Sequence, residues 1–289
     1  MTNCTICNST NISSLKNKIF SVYTKNPYKL TKCNDCTHIF TDPLPTNNEL
    51  NDIYTNKYSY DLHLLIKKEK IYIAKNVAKY ISTIPDIKSI FEIGCMYGYL
   101  LNECKKLDFE CSGIEIDKKA SKACIEKHLN VNNISLEKFT NDNTKKFDLI
   151  IMSHSLEHII NPYNNMQKLH KMLNKNGKLL LIVPNISSWT FKMFGKYWGY
   201  LQVPVHINHF NKKSLNLLLK KSGFKSIDYK YTGGDSLMFL STLANFLKIK
   251  SDKINLSSLK KNIIKTYSAV VKYWYKIGDE NLIILAEKI

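Results

Sequence analysis

The segment SIFEIGCMYGYLLNECKKLDFECSGIEID, residues 89–117, contains two short apolar runs separated by a glycine turn and a helical stretch. SIFEIG has the length and composition of a buried strand, and YLLNECKKL has apolar residues at helical spacing. ECSGIEID then forms a second strand pattern. A strand, a helix and a strand in this order predict a βαβ unit with two parallel strands.

The alternation of strand and helix patterns continues through the rest of the chain. Further strands are predicted in KFDLIIMSH (146–154), GKLLLIVPN (177–185) and SIDYKY (226–231), and helices in KKASKACIEKH (118–128), NPYNNMQKLHKML (161–173) and KKSLNLLLKKS (212–222). We therefore predict an α/β fold whose doubly wound, mostly parallel sheet has helices on both faces. Ligands of such sheets bind beyond the carboxyl ends of the strands, near the point where the strand order reverses.

The turn between the first strand and its helix contains Gly94 and Gly98, which allow the backbone to approach a ligand closely. Glu115 follows Gly94 by twenty-one residues and ends the next strand. A carboxylate at this place can accept hydrogen bonds from both hydroxyls of a ribose. Together the turn and the acid favour a nucleoside-bearing cofactor. The alternative is that the glycines serve only a tight turn and that Glu115 is a solvated strand end.

Four of the eight cysteines form two Cys-x-x-Cys pairs, Cys4 with Cys7 and Cys33 with Cys36. Two such pairs can supply the four thiolates of a tetrahedral structural Zn²⁺ site. Zinc binding is favoured over disulfide formation, because disulfides are uncommon in a reducing cytosol. The remaining cysteines, at 95, 104, 111 and 124, lack paired spacing and are interpreted as core or surface thiols.

The net charge of +18 arises from 42 basic and 24 acidic residues. All 42 basic residues are lysine, whereas proteins that bind phosphate or guanine favour the planar fork of arginine. We therefore expect solvated lysines rather than a nucleic-acid surface. No run approaches the roughly 18 apolar residues of a spanning helix. The first ten residues lack a basic and an apolar segment, so we expect no signal peptide and a cytoplasmic location.

The patterns divide the chain into three parts. We predict a zinc-binding module at 1–45, a linker with a bridging helix at 46–85, and an α/β domain at 86–289 that carries a helical insertion at about 236–277. The insertion is amphipathic and rich in lysine. We expect it to cover the core, although dimerisation or peripheral contact with a membrane surface also fits its pattern.

The chain resembles the class I S-adenosylmethionine-dependent methyltransferases, in the branch with an N-terminal four-cysteine zinc module. FEIGCMYGYLL is similar to the first cofactor motif of that family, GIEID to the second, and FDLIIMSHSLEHIINP to the motif of the fourth strand. The resemblance covers nearly the whole chain and includes the final GDENLIILAEK. It implies a Rossmann-like, seven-stranded sheet with an antiparallel last strand, next to a small ribbon-like zinc module.

The resemblance also implies roles for individual residues. Glu92 and the backbone at Gly94 and Gly98 would hold the methionine end of S-adenosylmethionine, and Glu115 its ribose. The implied cofactor-binding residues are Glu92, Gly94, Cys95, Gly98, Glu115, Ile116, Leu136, Ser153 and His154, with Ile116 and Leu136 on the two sides of the adenine. Relatives usually have glycine where Met96 stands, and a methionine there is expected to crowd the turn.

The segment VPVHINHF, residues 203–210, carries two histidines without nearby cysteine or carboxylate, which argues against a metal pair. In relatives that methylate sugars, the histidine at the place of His206 serves as a base. Histidine suits that role because its pKa lies near neutrality. The predicted catalytic residues are His206, His209 and His158, and for each a structural loop role is the alternative.

The resemblance implies a methyltransferase that modifies oxygen in a saccharide or another small acceptor of surface polysaccharide synthesis. The first alternative is an RNA methyltransferase whose zinc module binds ribosomal RNA. The second is a non-catalytic binding protein with a degenerate cofactor site. Met96 would favour it, as would Val203 and Val205, which stand where the relatives that methylate sugars carry polar catalytic groups.

Overall fold

The computed structural model describes residues 2–21, 23–24, 26–57, 60–142, 144–247 and 273–289. Its strands are β1 (Ile12–Phe20), β2 (Pro27–Cys33), β3 (Ile39–Asp42), β4 (Ser89–Ile93), β5 (Glu110–Ile114), β6 (Asn130–Asn132), β7 (Phe147–Ser153), β8 (Leu173–Pro184), β9 (Asn208–His209), β10 (Phe224–Thr232) and β11 (Asn281–Lys288). Its α-helices are α1 (Asn47–Asn56), α2 (Lys67–Ile81), α3 (Tyr99–Lys105), α4 (Lys118–Ile125), α5 (Leu136–Asp142), α6 (Pro162–Met172), α7 (Trp189–Phe194), α8 (Lys212–Lys221) and α9 (Ser236–Phe246).

The described residues group into two compact units. The first contains the chain up to Glu69 together with residues 184–214 and 230–282, and the second contains residues 70–183, 215–229 and 283–289. Both units are discontinuous along the chain, so they record packing rather than sequence boundaries. The predicted boundaries near residues 45 and 85 stay predictions.

The second unit is built on a seven-stranded sheet of order β10-β11-β8-β7-β4-β5-β6. β4 runs parallel to both β5 and β7, and β8 runs parallel to β7, whereas the sheet ends with antiparallel last strands. The chain builds β5 and β6 on one side of β4 and then crosses to β7 on the other. The carboxyl end of β4 is therefore the switch point at which ligands of such sheets bind. The predicted α/β fold is confirmed.

Apolar side chains from both faces of this sheet form the core of the second unit. Phe91 on β4 stacks between Phe139 and Phe147, with ring centroids 4.6 Å away on each side. Leu149, Ile151 and other apolar residues of the central strands are fully buried. Strands buried on both faces explain why these segments are continuous apolar runs.

The first unit contains a four-stranded sheet of order β1-β2-β3-β9. β1, β2 and β3 form the predicted N-terminal module. β9 comes from residues 208–209, within the histidine segment, and pairs antiparallel with β3. The sequence analysis did not anticipate this pairing, because a two-residue strand has no periodicity of its own.

Two predicted elements differ in detail from the structure. The polar stretch after residue 45 contains α1, whose first turn is capped by the Thr46 hydroxyl accepting a hydrogen bond from the Glu49 amide. The bridging helix begins as a 3-10 helix, Tyr60–Ile66, and becomes α-helical only from Lys67.

The insertion at about 236–277 is described in part. It includes α9 and a helical stretch at 273–277, whereas residues 248–272 of the predicted insertion lie outside the described residues. Across the residues that the structure describes, no helix combines the length and the apolar character needed to span a bilayer.

Candidate active site

The loop after β4 contains three residues with left-handed backbone geometry. Gly94, Met96 and Gly98 have φ angles of 73°, 47° and 68°. A Cβ atom at Gly94 would lie 2.6 Å from Ser155 Oγ, and one at Gly98 would lie 2.4 Å from Leu129 Cδ1. Both glycines are therefore favoured by backbone conformation and by space, whereas their predicted role in approaching a ligand stays a prediction. Met96 has a backbone conformation that residues other than glycine adopt only at an energetic cost.

Glu115 fixes this loop from the end of β5. Its Oε2 accepts a hydrogen bond from the Met96 amide at 2.7 Å, and its Oε1 accepts one from the Asp117 amide at 2.8 Å. The side chain is only 3% exposed. Burial raises the pKa of Glu115, although the backbone donors at Asp117 and Met96 oppose that shift. Each carboxylate oxygen has a second lone pair, so a ribose hydroxyl can still be accepted here.

Further side chains hold the loop, and the sequence analysis missed them. The Cys124 thiol donates to the Met96 carbonyl at 3.1 Å, and Lys127 Nζ donates to the Tyr97 carbonyl at 2.8 Å. Ser155 Oγ donates to the Ile93 carbonyl at 2.7 Å. The contacts of Cys124 and Lys127 bring a helix to a loop about thirty residues away along the chain, so no local pattern could have indicated them.

Asn133 was missed as well. Its side-chain amide donates to the carbonyls of Glu115 and Ile116 at 2.8 and 2.9 Å. This contact fixes the backbone on which the predicted ribose and adenine residues lie. Its only sequence signal is its place just after β6, next to the end of β5 in the sheet.

Glu92 is a buried acid directly before this loop. Its Oε2 has no hydrogen-bond partner among the described residues, and the side chain is 4% exposed. Burial, with smaller contributions from the neighbouring Cys124, Cys111 and Glu115, raises the pKa of Glu92 to about 8. An unsatisfied buried carboxyl group gains stabilisation from a cationic ligand group, so it fits the ammonium of a bound amino-acid moiety.

The remaining predicted cofactor residues lie in the second unit, around the carboxyl ends of the strands. Cys95 is buried, Ile116 is 53% exposed, and Leu136 begins α5. Ser153 ends β7, and His154 follows it with a φ of 53°. The exposed Ile116 offers an apolar surface beside Glu115, as an adenine site requires.

His154 and its neighbours form a polar group after β7. The His154 amide donates to the Ile182 carbonyl at 2.8 Å, and its Nδ1 lies 3.4 Å from Glu157 Oε1. His158 ends the short 3-10 helix Leu156–His158, also in the second unit. A histidine in left-handed conformation at a strand end is a strained position of the kind that clusters at functional sites.

His206 and His209 lie in the first unit and are both buried. His206 Nδ1 is 2.6 Å from the Tyr200 carbonyl, which can only accept, so Nδ1 carries the proton and Nε2 is the basic nitrogen. His209 Nε2 is 3.2 Å from Thr41 Oγ1, whose own proton goes to the His206 carbonyl. His209 therefore donates to Thr41. The tautomer of His206 is the one that a base requires, whereas the contact of His209 is structural.

The four N-terminal cysteines converge in the first unit. Cys4 Sγ is 3.5 Å from Cys36 Sγ, and Cys7 Sγ is 3.5 Å from Cys33 Sγ. All four sulfur atoms lie within 4.8 Å of one another. Tetrahedral zinc with bonds of about 2.3 Å separates its sulfur ligands by about 3.8 Å, so the arrangement fits the ion closely.

The comparisons with known proteins decide the family. A model of a family described as "Methyltransferase domain" matches residues 66–229, more than half of the chain. The chain belongs to this methyltransferase family. The resemblance to class I methyltransferases is thereby confirmed.

Relatives of this methyltransferase are distant. Carnosine N-methyltransferase 2 of Gallus gallus is 29% identical over 118 residues, which are 36% of this chain and 37% of the relative. The chain thus spans little more than a third of the length of that curated protein. A SAM-dependent methyltransferase from Archaeoglobus fulgidus has a TM-score of 0.52 at 18% identity, with 84% of this chain and all of that chain covered.

A second solved structure gives the same result for the fold. It is a SAM-dependent methyltransferase from Thermotoga maritima, described as a possible histamine N-methyltransferase, with a TM-score of 0.54 at 15% identity. The match covers 83% of this chain and 99% of that one. At these identities the likeness to solved structures concerns the fold alone.

Proposed function

We propose that this methyltransferase transfers the methyl group of S-adenosylmethionine to a hydroxyl group of a small, saccharide-like acceptor. The observation that carries the donor assignment is the loop after β4, with left-handed backbone at residues 94, 96 and 98, held by the buried Glu115. This loop lies at the switch point of the sheet, and its sequence GCMYGY departs from the G-x-G-x-x-G turn that binds a pyrophosphate, which favours a donor without a pyrophosphate.

Residues next to the loop would each contact a different part of the donor. Glu92 would pair with the ammonium of its methionine moiety, Glu115 would accept its ribose hydroxyls, and Ile116 would contact the adenine. When bound, S-adenosylmethionine supplies a methyl group on a positively charged sulfur. The domain holds the donor and the attacking atom in reactive geometry, which accounts for most of the rate enhancement in a displacement of this kind.

His206 is the proposed base. Methylation of a hydroxyl forms a carbon–oxygen bond, breaks the carbon–sulfur bond and releases the hydroxyl proton. The Nδ1–H···O=C contact with Tyr200 fixes the tautomer in which Nε2 accepts that proton. His158 is retained as a second candidate, and His209 as a structural neighbour.

Nitrogen is the alternative acceptor atom. The relative from Gallus gallus is named for N-methylation, and an uncharged amine needs less assistance from a base than a hydroxyl. The two alternatives differ in pH dependence, because a hydroxyl acceptor requires His206 to be neutral before it accepts the hydroxyl proton.

Structural zinc is proposed at Cys4, Cys7, Cys33 and Cys36. Four thiolates complete the coordination of the ion and leave no position for a reacting water. The metal would therefore stabilise the module without taking part in the chemistry.

Titration calorimetry with S-adenosylmethionine tests the donor assignment. Glu115→Ala should weaken donor binding at least tenfold, because it removes both the ribose acceptor and the anchor of the loop. Glu110→Ala, an exposed acid at the other end of β5, is the control and should bind as the wild type does. Absence of heat with wild-type protein at millimolar donor would leave a non-catalytic binding protein as the better assignment.

Turnover with labelled donor and a panel of acceptors tests the base. The panel contains free and nucleotide-linked sugars, small amines and ribosomal RNA. His206→Ala should lower turnover on a hydroxyl acceptor about a hundredfold and leave donor affinity unchanged, whereas the exposed His128→Asn should lower neither. Labelling of RNA alone would contradict the small-molecule assignment.

A further inference from the structure

The histidine segment and the four-cysteine module are joined by backbone pairing. In β9, His209 pairs with Ile39 and Asn208 with Phe40 of β3. The Thr41 amide also donates to the Ile207 carbonyl at 2.9 Å. β3 begins only three residues after the last metal-ligand position, Cys36. The backbone at 207–209, which follows His206 and includes His209, is thus held by a strand that begins directly after the cysteine cluster.

Side chains of the module bind the same segment. Thr41 Oγ1 donates to the His206 carbonyl at 2.8 Å and lies 3.2 Å from His209 Nε2. Asn208 Oδ1 accepts from Thr5 Oγ1 at 2.8 Å and lies 3.1 Å from His38 Nε2. All of these groups except Thr5 belong to residues less than 5% exposed, and buried hydrogen bonds of this kind define a single conformation.

The contacting residues lie within or beside the Cys-x-x-Cys turns. Thr5 lies between Cys4 and Cys7, and His38 follows Cys36 by two residues. A metal ion that closes the two turns therefore also fixes Thr5 and His38 against Asn208. His38 additionally packs against Phe210, with ring centroids 5.2 Å apart, so the end of the segment is held as well.

We propose that the four-cysteine module is the positioning element of the acceptor base, with Thr41 as its principal positioning residue. This inference rests on the proposed roles of His206 and of the metal. A base acts efficiently only when its nitrogen is held within about half an ångström of the productive geometry. The regular structure of segment 203–210 is limited to the two residues of β9, and β3 pairs with both of them.

Thr41→Val tests the proposal in the full-length protein. It removes the hydroxyl but keeps the shape, and Thr41→Ser restores the hydroxyl. The matched control is Thr31→Val, since Thr31 is equally buried in the module but donates to Asp42 within it. Hydrogen exchange of a peptide covering 203–211 and the ¹⁵N signals of the His206 and His209 imidazoles are recorded for each variant.

Thr41→Val should raise exchange in 203–211 at least tenfold and shift the His209 nitrogen signals, and Thr41→Ser should return both to wild-type values. Thr31→Val should leave both unchanged. Removing the metal with a chelator should raise exchange in 203–211 together with residues 2–42 and leave a peptide covering 89–98 unchanged. Unchanged exchange in 203–211 after chelation, or equal effects of Thr41→Val and Thr31→Val, would overturn the proposal.

Donor titration of the same variants separates this proposal from the proposed function. Thr41→Val should bind S-adenosylmethionine as the wild type does, because the donor loop lies in the other unit. A wild-type protein that binds no donor overturns the proposed function, whatever the exchange result. A protein that binds donor but shows no change in exchange overturns only the positioning role.

Discussion

Among single residues, Met96 bears most directly on the conformation of the loop after β4, the proposed donor-binding loop. It lies between two glycines that the loop requires, and its own φ of 47° is in the left-handed region. Residues 94, 96 and 98 thus all have left-handed backbone although only two of them are glycine. The methionine adds an energetic cost to the loop conformation.

Replacing Met96 by glycine should be nearly neutral for folding. The left-handed backbone costs a side-chain-bearing residue about 1–2 kcal/mol, and glycine loses about 0.5–1 kcal/mol through the entropy of the unfolded chain. We expect the free energy of unfolding of Met96→Gly to stay within about 1 kcal/mol of wild type in urea titrations, with donor binding at least as tight.

Gly98→Ala is the matched opposite change and should cost about 2–4 kcal/mol, because its Cβ meets Leu129 and the Cys124 sulfur at 2.4 and 3.0 Å. A Met96→Gly protein as unstable as Gly98→Ala would show that the methionine side chain, rather than the backbone, holds the loop.

The raised pKa of Glu92 predicts that the free energy of unfolding depends on pH. Its pKa of about 8 in the folded protein lies above the ordinary value for glutamate, so between about pH 4.5 and pH 8 the folded state binds more protons than the unfolded state. The free energy of unfolding then falls as pH rises through this window, by up to about 1.4 kcal/mol per pH unit from this group. Below about pH 4.5 Glu92 no longer lowers the free energy of unfolding, because it is protonated in both the folded and the unfolded state.

The neutral Glu92→Gln variant isolates this contribution. In thermal melts without ligand, we expect it to be more stable than wild type at pH 8 and equally stable at pH 4.5, and to bind the donor at least tenfold more weakly. A constant difference between the two proteins over the whole pH range would contradict an acid that is neutral before donor binding.

Among the secondary-structure elements, those with strong periodicity were predicted and those without it were missed. The strands β4, β5, β7 and β8 and the helices α3, α4, α6 and α8 follow the predicted segments, because their apolar residues face the core of the sheet. The short elements β6, α5, α7 and β9 were not predicted. β8 begins earlier than predicted, at Leu173, where α6 ends. The polar α1 lacked a clear apolar face, and only its Thr46 cap could have revealed it.

The Asp148 side chain connects β7 with β4 and β8 at the end of the sheet opposite the loop after β4. Its Oδ2 accepts hydrogen bonds from the amides of Lys88 and Ser89 and from the Ser89 hydroxyl, and its Oδ1 accepts one from Asn174. Burial alone would raise the pKa of Asp148, but these hydrogen bonds hold it below its ordinary value. The stabilisation is therefore present at neutral pH and is lost as the pH falls below about 4.

Asp148→Ala should lower the free energy of unfolding by about 2–3 kcal/mol at pH 7, since hydrogen bonds to a charged group contribute about 1.5–3 kcal/mol each and partly overlap. Urea titrations at pH 7 and pH 3 measure the effect. The exposed Glu126→Ala serves as the control. An Asp148→Ala protein within about 0.5 kcal/mol of wild type at pH 7 would show that the sheet does not depend on this carboxylate.

Across the whole molecule, the chain passes repeatedly between its two units. Three separate parts of the chain form the first unit: the residues up to Glu69, residues 184–214 and the described part of 230–282. The N-terminal module is therefore not an isolated attachment, since its sheet is completed by a strand about 170 residues away in sequence.

The charge of +18 is carried by lysine throughout, and the site residues on which the proposed chemistry depends are carboxylates and histidines.

The sequence alone determined the βαβ alternation, the presence of a glycine turn at 94–98, and the two Cys-x-x-Cys pairs. These features depend on periodicity and backbone sterics, which act over a few residues and leave a local pattern. Only the tertiary structure decided that Glu115 binds the loop backbone and that β3 supports the histidine segment. Such contacts join residues as far apart as Thr5 and Asn208, and chain packing sets them without leaving a trace in either local stretch.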